Sequence, residues 1–253
     1  MQRMKTVLSL TVLSTCAAAL IAGCAGSNVN GLVDAGGSLF KAATLSDGDV
    51  KSLSEQACAE SDKENKIAPA NSPYTKRLTA IMAGLKDSGV PVQAKVYLTK
   101  DVNAWAMANG CVRVYSGLMD MMNNDEVRGV LGHEIGHVAL GHSKSQMQVA
   151  YTAVAARGAL AASANGTVAA LSQSQLGDLS EKLINAQFSQ AQETAADDYS
   201  FDLLTKNKAN RQGLVTAFEK LAKLDGGKSG MFDSHPGSAD RAKRMQGRLA
   251  KGS

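Results

Sequence analysis

The chain has 253 residues, of which 44% are apolar and 20% are charged. This composition excludes intrinsically disordered and coiled-coil proteins, and the length allows one domain with a sizeable core. The formal net charge of +4 falls by two, to +2, if Arg3 and Lys5 are removed with the leader described next. So weak a positive charge argues against nucleic acid as a partner, because a surface that follows a phosphate backbone needs many basic residues.

The N-terminal segment has the charge order of a secretory leader. Met1–Lys5 carries two basic residues and Thr6–Ala22 carries no charge, as in a signal peptide that directs export. The segment ends in small residues before Cys24, which resembles a bacterial lipoprotein signal whose cysteine is acylated. We predict that residues 1–23 are removed and that Cys24 carries lipid. An ordinary signal peptide or an uncleaved anchor is the alternative.

The residues after the acylated cysteine predict a flexible linker to the lipid and the membrane in which the lipid is anchored. Residues 24–44 are rich in Gly, Ser and Asn in their first part, which is typical of a flexible linker between lipid and domain. Ala25, rather than Asp, follows Cys24, and in lipoproteins of this kind that residue implies sorting to the outer membrane. The resemblance therefore predicts an outer-membrane lipid anchor, with a domain of residues 45–253 on the periplasmic side.

Two cysteines remain in the mature chain. Cys16 leaves with the leader and Cys24 takes lipid, so Cys58 and Cys111 are left in a compartment that permits disulfides. We predict that these two pair. Two separately buried thiols are the alternative, because the sequence alone does not place their Cα atoms within bonding range.

Hydrophobic periodicity predicts an α+β fold that is dominated by helices. A first helix follows Ser46 and Asp47, both of which are N-cap residue types. Later helical patterns span Tyr74–Leu85, Glu126–Gly141, Leu179–Phe188, Gln192–Leu204 and Gln212–Leu224. Alternating apolar residues in Val92–Thr99 and in Ala104–Ser116 predict a small sheet of about three strands.

An Ala-rich stretch, Val149–Leu171, interrupts this series of helices. Arg157 near its middle and the Asn165-Gly166 pair argue against a membrane span. We predict two short helices near the site opening instead. The Gly-rich segment Asp225–Gly230 is predicted to be a loop.

One predicted helix contains the HExxH motif, His133-Glu134-Ile135-Gly136-His137. At about 100° per residue the two histidines lie about 40° apart on one helix face, so both imidazoles can reach a single metal ion. Glu134 is offset enough to reach a water on that ion, which is the arrangement of zinc peptidases. A surface helix with a coincidental histidine pair is the alternative, but apolar residues on most sides indicate a buried helix.

Catalytic zinc sites need a third protein ligand, and two residues are candidates. His142 would lie about 180° from His133 on a continuing helix, so we interpret it as a residue at the C-terminal end of that helix. Glu193 and Asp197 are four residues apart on one helix face. One carboxylate can therefore bind the metal while the other accepts a hydrogen bond from a ligand imidazole. A solvated acidic face is the alternative for this pair.

The sequence GHEIGHVALGH, followed by the ExxxD of Glu193 and Asp197 and by His235-Pro236 and Arg241, resembles one metallopeptidase family. This is the gluzincin family that includes HtpX and the CAAX prenyl proteases. The similarity covers residues 45–249, nearly the whole mature chain. It implies a zincin (gluzincin) catalytic domain that binds one Zn²⁺ per chain.

The resemblance also implies a role for each matching residue. His133, His137 and Glu193 would hold the zinc, Glu134 would be the general base, and Asp197 would orient a ligand imidazole.

Two downstream residues have less settled roles. His235 would stabilise the oxyanion, or bind the zinc as a further ligand and keep the enzyme latent. Arg241 would contact substrate or the oxyanion, or lie on a surface helix.

The stretch Cys111–Ser116 directly precedes the HExxH helix, and zincins commonly bind an extended peptide along the edge of such a strand. We therefore predict that unpaired main-chain groups of this strand hold the substrate backbone.

The expected function is a zinc-dependent metalloendopeptidase that cleaves unfolded or misassembled envelope proteins. Other envelope proteases or the outer-membrane assembly machinery are further expected partners. A chaperone-like assembly factor with secondary proteolysis is the alternative. A zinc hydrolase acting on a non-peptide bond is supported only by the generality of the motif.

Overall fold

The computed structural model of the chain describes residues 45–158, 171–224 and 234–252. The predicted leader, the lipidated Cys24, the tether over 24–44 and the predicted loop Asp225–Gly230 lie outside these ranges. Part of the Ala-rich stretch does as well. Among the described residues, no helix is both long enough and apolar enough to cross a membrane.

The described residues form nine helices and three strands, numbered here in chain order. The helices are α1 (Asp47–Glu64), α2 (Pro73–Met82), α3 (Ser116–Met121), α4 (Asn124–Ala139), α5 (His142–Gly158), α6 (Gln173–Ile184), α7 (Gln190–Lys206), α8 (Gln212–Ala222) and α9 (Ser238–Ala250). The strands are β1 (Gln93–Tyr97), β2 (Ala104–Ala106) and β3 (Cys111–Tyr115). The predicted α+β class with a small sheet is confirmed.

The sheet has the order β1-β3-β2, with β1 parallel and β2 antiparallel to β3. Because β3 is the middle strand, its main-chain groups are paired on both sides. The prediction that Cys111–Ser116 offers a free edge to substrate is therefore wrong. The outer side of β1 is partly covered as well, because Ala68 N–H donates to the Val96 carbonyl and Leu98 N–H to the Lys66 carbonyl. The remaining edge is β2.

Successive side chains of the strands point to opposite faces of the sheet and enter two hydrophobic clusters. Val96, Val112 and Val114 join a cluster with residues of α2, α4, α7, α8 and α9, which we call the α4 core. Tyr97 and Trp105 join a cluster with residues of α1, α5 and α6, which we call the α1 core. The sheet thus separates the HExxH helix from the N-terminal helix.

The helix that carries the HExxH motif is buried over most of its length. It begins with a capping box, in which the Asn123 side chain accepts the backbone N–H of Glu126 and the Glu126 carboxylate accepts the N–H of Asn123. A Cβ atom on Gly132 would lie 2.6 Å from the Ser200 hydroxyl, and one on Gly136 would lie 3.1 Å from the Ala196 carbonyl. Only glycine allows α4 to pack this closely against α7.

A disulfide between Cys58 on α1 and Cys111 on β3 confirms the predicted pairing. The two Cα atoms are 6.5 Å apart, within the range of native disulfides. The bond ties the N-terminal helix to the middle strand of the sheet. It lies in the α1 core, on the side of the sheet away from α4.

Candidate metal centre

Four buried side chains converge on one point of the α4 core. They are His133 and His137 on α4, Glu193 on α7 and His235 just before α9, and their potential ligand atoms all lie within 4.8 Å of one another. The Nε2 atoms of His133 and His137 are 3.0 Å apart. Glu193 Oε1 lies 3.3 Å from His137 Nε2 and 2.9 Å from His235 Nδ1.

Packing between α4 and α7 places these ligands. The four-residue spacing puts both histidines on the face of α4 toward α7, where the glycine contacts described above let the helices approach. Glu193 lies in the first turn of α7, whose N-cap Ser189 forms a capping box with Gln192. The helix start that fixes Glu193 is therefore set by local sequence.

A second layer of buried polar residues holds the ligands in place. Asp197 Oδ1 lies 2.9 Å from His133 Nδ1, so this carboxylate contacts the ring nitrogen that faces away from the cluster. Arg241 lies 2.6 Å from Asp197 Oδ1 and 2.7 Å from Glu193 Oε2, and thus bridges the two carboxylates. Asp197 has the contact expected of an orienting residue. Arg241 is buried and not on the surface, and its role toward substrate stays a prediction.

Glu134 is buried beside the cluster, and its Oε1 atom has no hydrogen-bond partner among the described residues. His235 Nε2 is 3.4 Å from that atom. A buried carboxylate oxygen without a partner is costly, so its retention beside four ligand groups fits a site built to hold a metal ion and a water. The donor set of two imidazoles and a carboxylate suits zinc.

The pKa shifts of two cluster residues, His137 and Glu193, favour the protonation states that metal binding requires. Burial lowers the pKa of His137 well below its ordinary value, which keeps the imidazole neutral. Burial alone would raise the pKa of Glu193, but His133, His137 and His235 outweigh it and lower that pKa, which keeps the carboxylate ionised. At His235 burial alone would lower the pKa, but the charges of Glu134 and Glu193 outweigh it and raise that pKa. Burial raises the pKa of Glu134, as suits a residue that exchanges a proton during catalysis.

A profile described as "Peptidase family M48" matches residues 69–249, which is most of the chain and includes every residue of the cluster. The chain belongs to peptidase family M48. Metalloprotease LoiP of Escherichia coli (strain K12) is 58% identical over 236 residues, which cover 92% of this chain and 93% of LoiP. Metalloprotease YcaL of the same organism is 53% identical over 255 residues, covering 98% of this chain and 100% of YcaL.

A shorter similarity connects the M48 chain with Protease HtpX of Thioalkalivibrio sulfidiphilus, which is 38% identical over 78 residues. That segment covers 29% of this chain and 26% of the HtpX protein. The predicted resemblance to the family of HtpX is therefore confirmed. With the buried cluster of His133, His137 and Glu193, the chain is an M48 metalloprotease with an HExxH-type metal site.

The structure corrects the interpretation of His142. This residue does not end the HExxH helix: α4 stops at Ala139, and His142 is the first residue of α5. It is not among the four potential metal ligands. Its Nδ1 atom nevertheless lies 3.0 Å from His137 Nδ1. A glycine after Leu140 was the sequence signal for this turn, because Gly is the residue that most often follows a helix end.

Phe188 also contacts the metal centre, although it was not among the predicted site residues. It lies in the connection between α6 and α7, and its ring stacks on His137 with the centroids 3.7 Å apart. The His235 ring centroid is 5.4 Å away. Phe188 is half-buried and covers one side of the cluster. No periodic pattern marks a single aromatic residue in a short connection, so the sequence held no signal for this contact.

Proposed function

We propose that this M48 metalloprotease is a lipid-anchored outer-membrane endopeptidase that uses one Zn²⁺ per chain to cleave unfolded or misassembled envelope proteins. The observation that carries the proposal is the buried group of two imidazoles and a carboxylate beside Glu134, whose Oε1 atom accepts no hydrogen bond from the described residues. The lipoprotein-like leader supports the location. The relatives LoiP and YcaL, both named metalloproteases, support the reaction class.

His133, His137 and Glu193 would hold the zinc. When bound there, zinc polarises the scissile carbonyl and lowers the pKa of water. Glu134 accepts the proton of the attacking water and returns it to the leaving amine, which the raised pKa of this buried carboxyl favours. Asp197 fixes the orientation of His133.

His235 lies where either proposed role can operate. Its Nε2 atom faces Glu134, and its Nδ1 atom lies 2.9 Å from Glu193 and 3.2 Å from His133 Nε2. A role in oxyanion stabilisation predicts that His235→Ala lowers kcat, whereas a role in latency predicts that the same variant raises it. Casein turnover at equal zinc content distinguishes the two roles.

Strand β2 is the segment that we expect to bind substrate. It is the edge of the sheet beside α4, and its neighbour β3 pairs only with its inner side. The Ala106 carbonyl accepts a hydrogen bond from the Ser143 hydroxyl at the start of α5. An extended substrate that adds to this edge would be held by its main chain, so selection would depend on an unfolded segment more than on particular side chains.

The test compares one protein substrate in its native and denatured forms, with zinc-loaded enzyme and with enzyme treated with a chelator. We expect the denatured form to be cleaved faster and the chelator to abolish cleavage. Equal rates on both forms would contradict the proposed substrate class. Retention of cellular function by Glu134→Gln would favour the chaperone-like alternative over cleavage.

A further inference from the structure

The two histidines of the HExxH motif differ in what supports them. The outward nitrogen of His133, Nδ1, contacts the Asp197 carboxylate at 2.9 Å. The outward nitrogen of His137, also Nδ1, contacts no carboxylate of the described residues but lies 3.0 Å from His142 Nδ1. We propose that His142 is a positioning residue for His137, accepting a hydrogen bond from His137 Nδ1 and thereby fixing the direction of the metal-binding Nε2.

The local sequence is built to bring His142 back toward the preceding helix. Leu140 is the C-cap residue that follows α4, and Gly141 adopts φ +74°, a left-handed conformation that non-glycine residues rarely adopt. Apart from its two chain neighbours, no described residue has an atom within 4 Å of a Cβ placed on Gly141, so the backbone angle and not crowding requires glycine. The helical path is therefore broken at Gly141, and α5 begins with His142, whose ring contacts that of His137 in the last turn of α4.

The hydrogen-bond chemistry fixes the direction of the contact. A neutral imidazole has one N–H and one lone pair, so a His137 that offers Nε2 to a metal must carry its hydrogen on Nδ1. That N–H is directed at His142 Nδ1, which must then present a lone pair and carry its own hydrogen on Nε2. His142 is half-buried, so solvent can satisfy its Nε2–H.

Two contacts, one on its face and one at its edge, thus restrain the His137 ring. Phe188 stacks on its face with an interplanar angle of 22°, which limits tilting. The hydrogen bond to His142 lies at its edge and limits rotation about the Cβ–Cγ bond. A ligand whose orientation is fixed before the metal arrives binds more tightly, because less conformational freedom is lost on binding.

The test measures zinc affinity by competition with a chromophoric chelator, with all variants made in full-length Glu134→Gln protein to prevent self-cleavage. His142→Leu keeps the branching at Cγ but removes the acceptor, whereas His142→Asn keeps an acceptor oxygen at the position of Nδ1. We expect the Leu variant to bind zinc about 10–100-fold more weakly, the cost typical of losing such a partner. We expect the Asn variant to recover most of that loss.

Ser145→Ala is the matched control, because Ser145 is exposed in the first turn of the same helix and bonds only locally to the Gly141 carbonyl. Its zinc affinity should equal that of the parent. Long-range ¹H–¹⁵N spectra of the zinc-loaded proteins give a second readout. The His137 Nδ1 proton should exchange slowly with water in the parent and in the Asn variant, and rapidly in the Leu variant.

Three results would overturn the proposal. The first is a Leu variant that binds zinc as tightly as the parent. The second is an Asn variant that is weakened as much as the Leu variant, since that would show a packing role. The third is a spectrum that places the His137 hydrogen on Nε2 in the zinc-loaded parent. A parent that binds no zinc would contradict the metal site as a whole and is distinguishable from all three.

Discussion

Among the described residues, the α4 core and the α1 core each contain one buried arginine that forms an ion pair. Arg241 bridges Asp197 and Glu193 and lies 4.1 Å from the centre of the Phe218 ring. Arg113 pairs with Asp62 through two hydrogen bonds, at 2.7 and 2.9 Å. The carboxylates that pair with Arg241 have other contacts than the carboxylate that pairs with Arg113. These other contacts distinguish a metal site from an ion pair that only stabilises the fold.

The partners of Arg241 also contact imidazoles, and those imidazoles converge on a point where a metal can bind. The partner of Arg113 contacts Lys95 and Tyr97 and has no histidine beside it among the described contacts. The Arg113 side chain also lies 3.0 Å from Cys58 Sγ. Similar ion pairs therefore serve ligand positioning in one core and the attachment of α1 to the sheet in the other.

The largest expected effect is at the arginine of the metal centre. Arg241→Met leaves two buried carboxylates without their counterion, so we expect the free energy of unfolding of the metal-free protein to fall by about 3–5 kcal/mol. Arg241 would no longer hold Asp197 in place, so Asp197 would orient His133 less firmly. Zinc affinity should therefore also fall about 10–100-fold. Chemical denaturation and chelator competition measure the two effects.

The matched control for that variant is Arg113→Met. It should destabilise the protein while zinc affinity stays at the wild-type value, because Arg113 contacts no metal ligand. An equal loss of zinc affinity in both variants would show that the two arginines do not have the separate roles described here.

Removal of the disulfide should have the next largest effect. The bond closes a loop with a sequence separation of 53 residues, for which chain entropy predicts about 4 kcal/mol of stabilisation. We expect a double Cys58→Ala, Cys111→Ala variant to lose about 2–4 kcal/mol in denaturant unfolding. Its zinc content and Co²⁺ absorption spectrum should match the wild type. A changed metal spectrum would show that the disulfide shapes the metal centre across the sheet.

Acid should weaken the α1 core through Asp62. Burial alone would raise the pKa of Asp62, but hydrogen bonds from Arg113, Lys95 and Tyr97 outweigh it and lower that pKa to about 2. A carboxyl whose pKa is lowered on folding stabilises the protein above its unfolded pKa. Asp62 therefore contributes about 1–2 kcal/mol to the free energy of unfolding at neutral pH, and this contribution is lost as the pH falls from about 4 to 2.

Asp62→Asn tests this pH dependence. The variant should be less stable than the wild type at pH 6, and the difference should shrink as the pH approaches 2. Thermal unfolding at a series of pH values measures it. A constant difference across that range would contradict the assignment of the acid effect to Asp62.

The smallest expected effect is at the start of α4. Asn123→Ala removes a cap that accepts two backbone N–H groups, from Asp125 and Glu126, and should cost about 1 kcal/mol. Because the metal ligands lie two or more turns away, zinc affinity should not change. Urea unfolding and the chelator assay test both statements, and a large loss of zinc affinity would show that the helix start positions His133.

The sequence predicted the parts of the site that depend on spacing along one helix. His133 and His137 share a face of α4 because they are four residues apart, and the same spacing brings Glu193 and Asp197 to one face of α7. The capping box at Asn123 depends on local spacing of the same kind, because its two partners, Asn123 and Glu126, are three residues apart.

Features that depend on non-local pairing or on a single turn were not predictable in this way. The middle position of β3 follows from the order of pairing, which alternation within one strand does not encode. The contact of His142 depends on the helix break at Gly141; the glycine marks the helix end but does not fix the direction in which the next helix starts. The helix α9 was not among the predicted helical patterns, and a helix at Arg241 was only an alternative. Few of its residues are large and apolar, and it packs mainly through Ala242 and Met245 beside Arg241.

The most direct test of the account measures zinc content and casein cleavage in parallel for the wild type and for Glu134→Gln. We expect one equivalent of zinc in both proteins, and cleavage by the wild type that Glu134→Gln reduces by about 10²–10⁴-fold. Equal cleavage by the two proteins would contradict the role of Glu134. Absence of zinc from both would contradict the metal site itself.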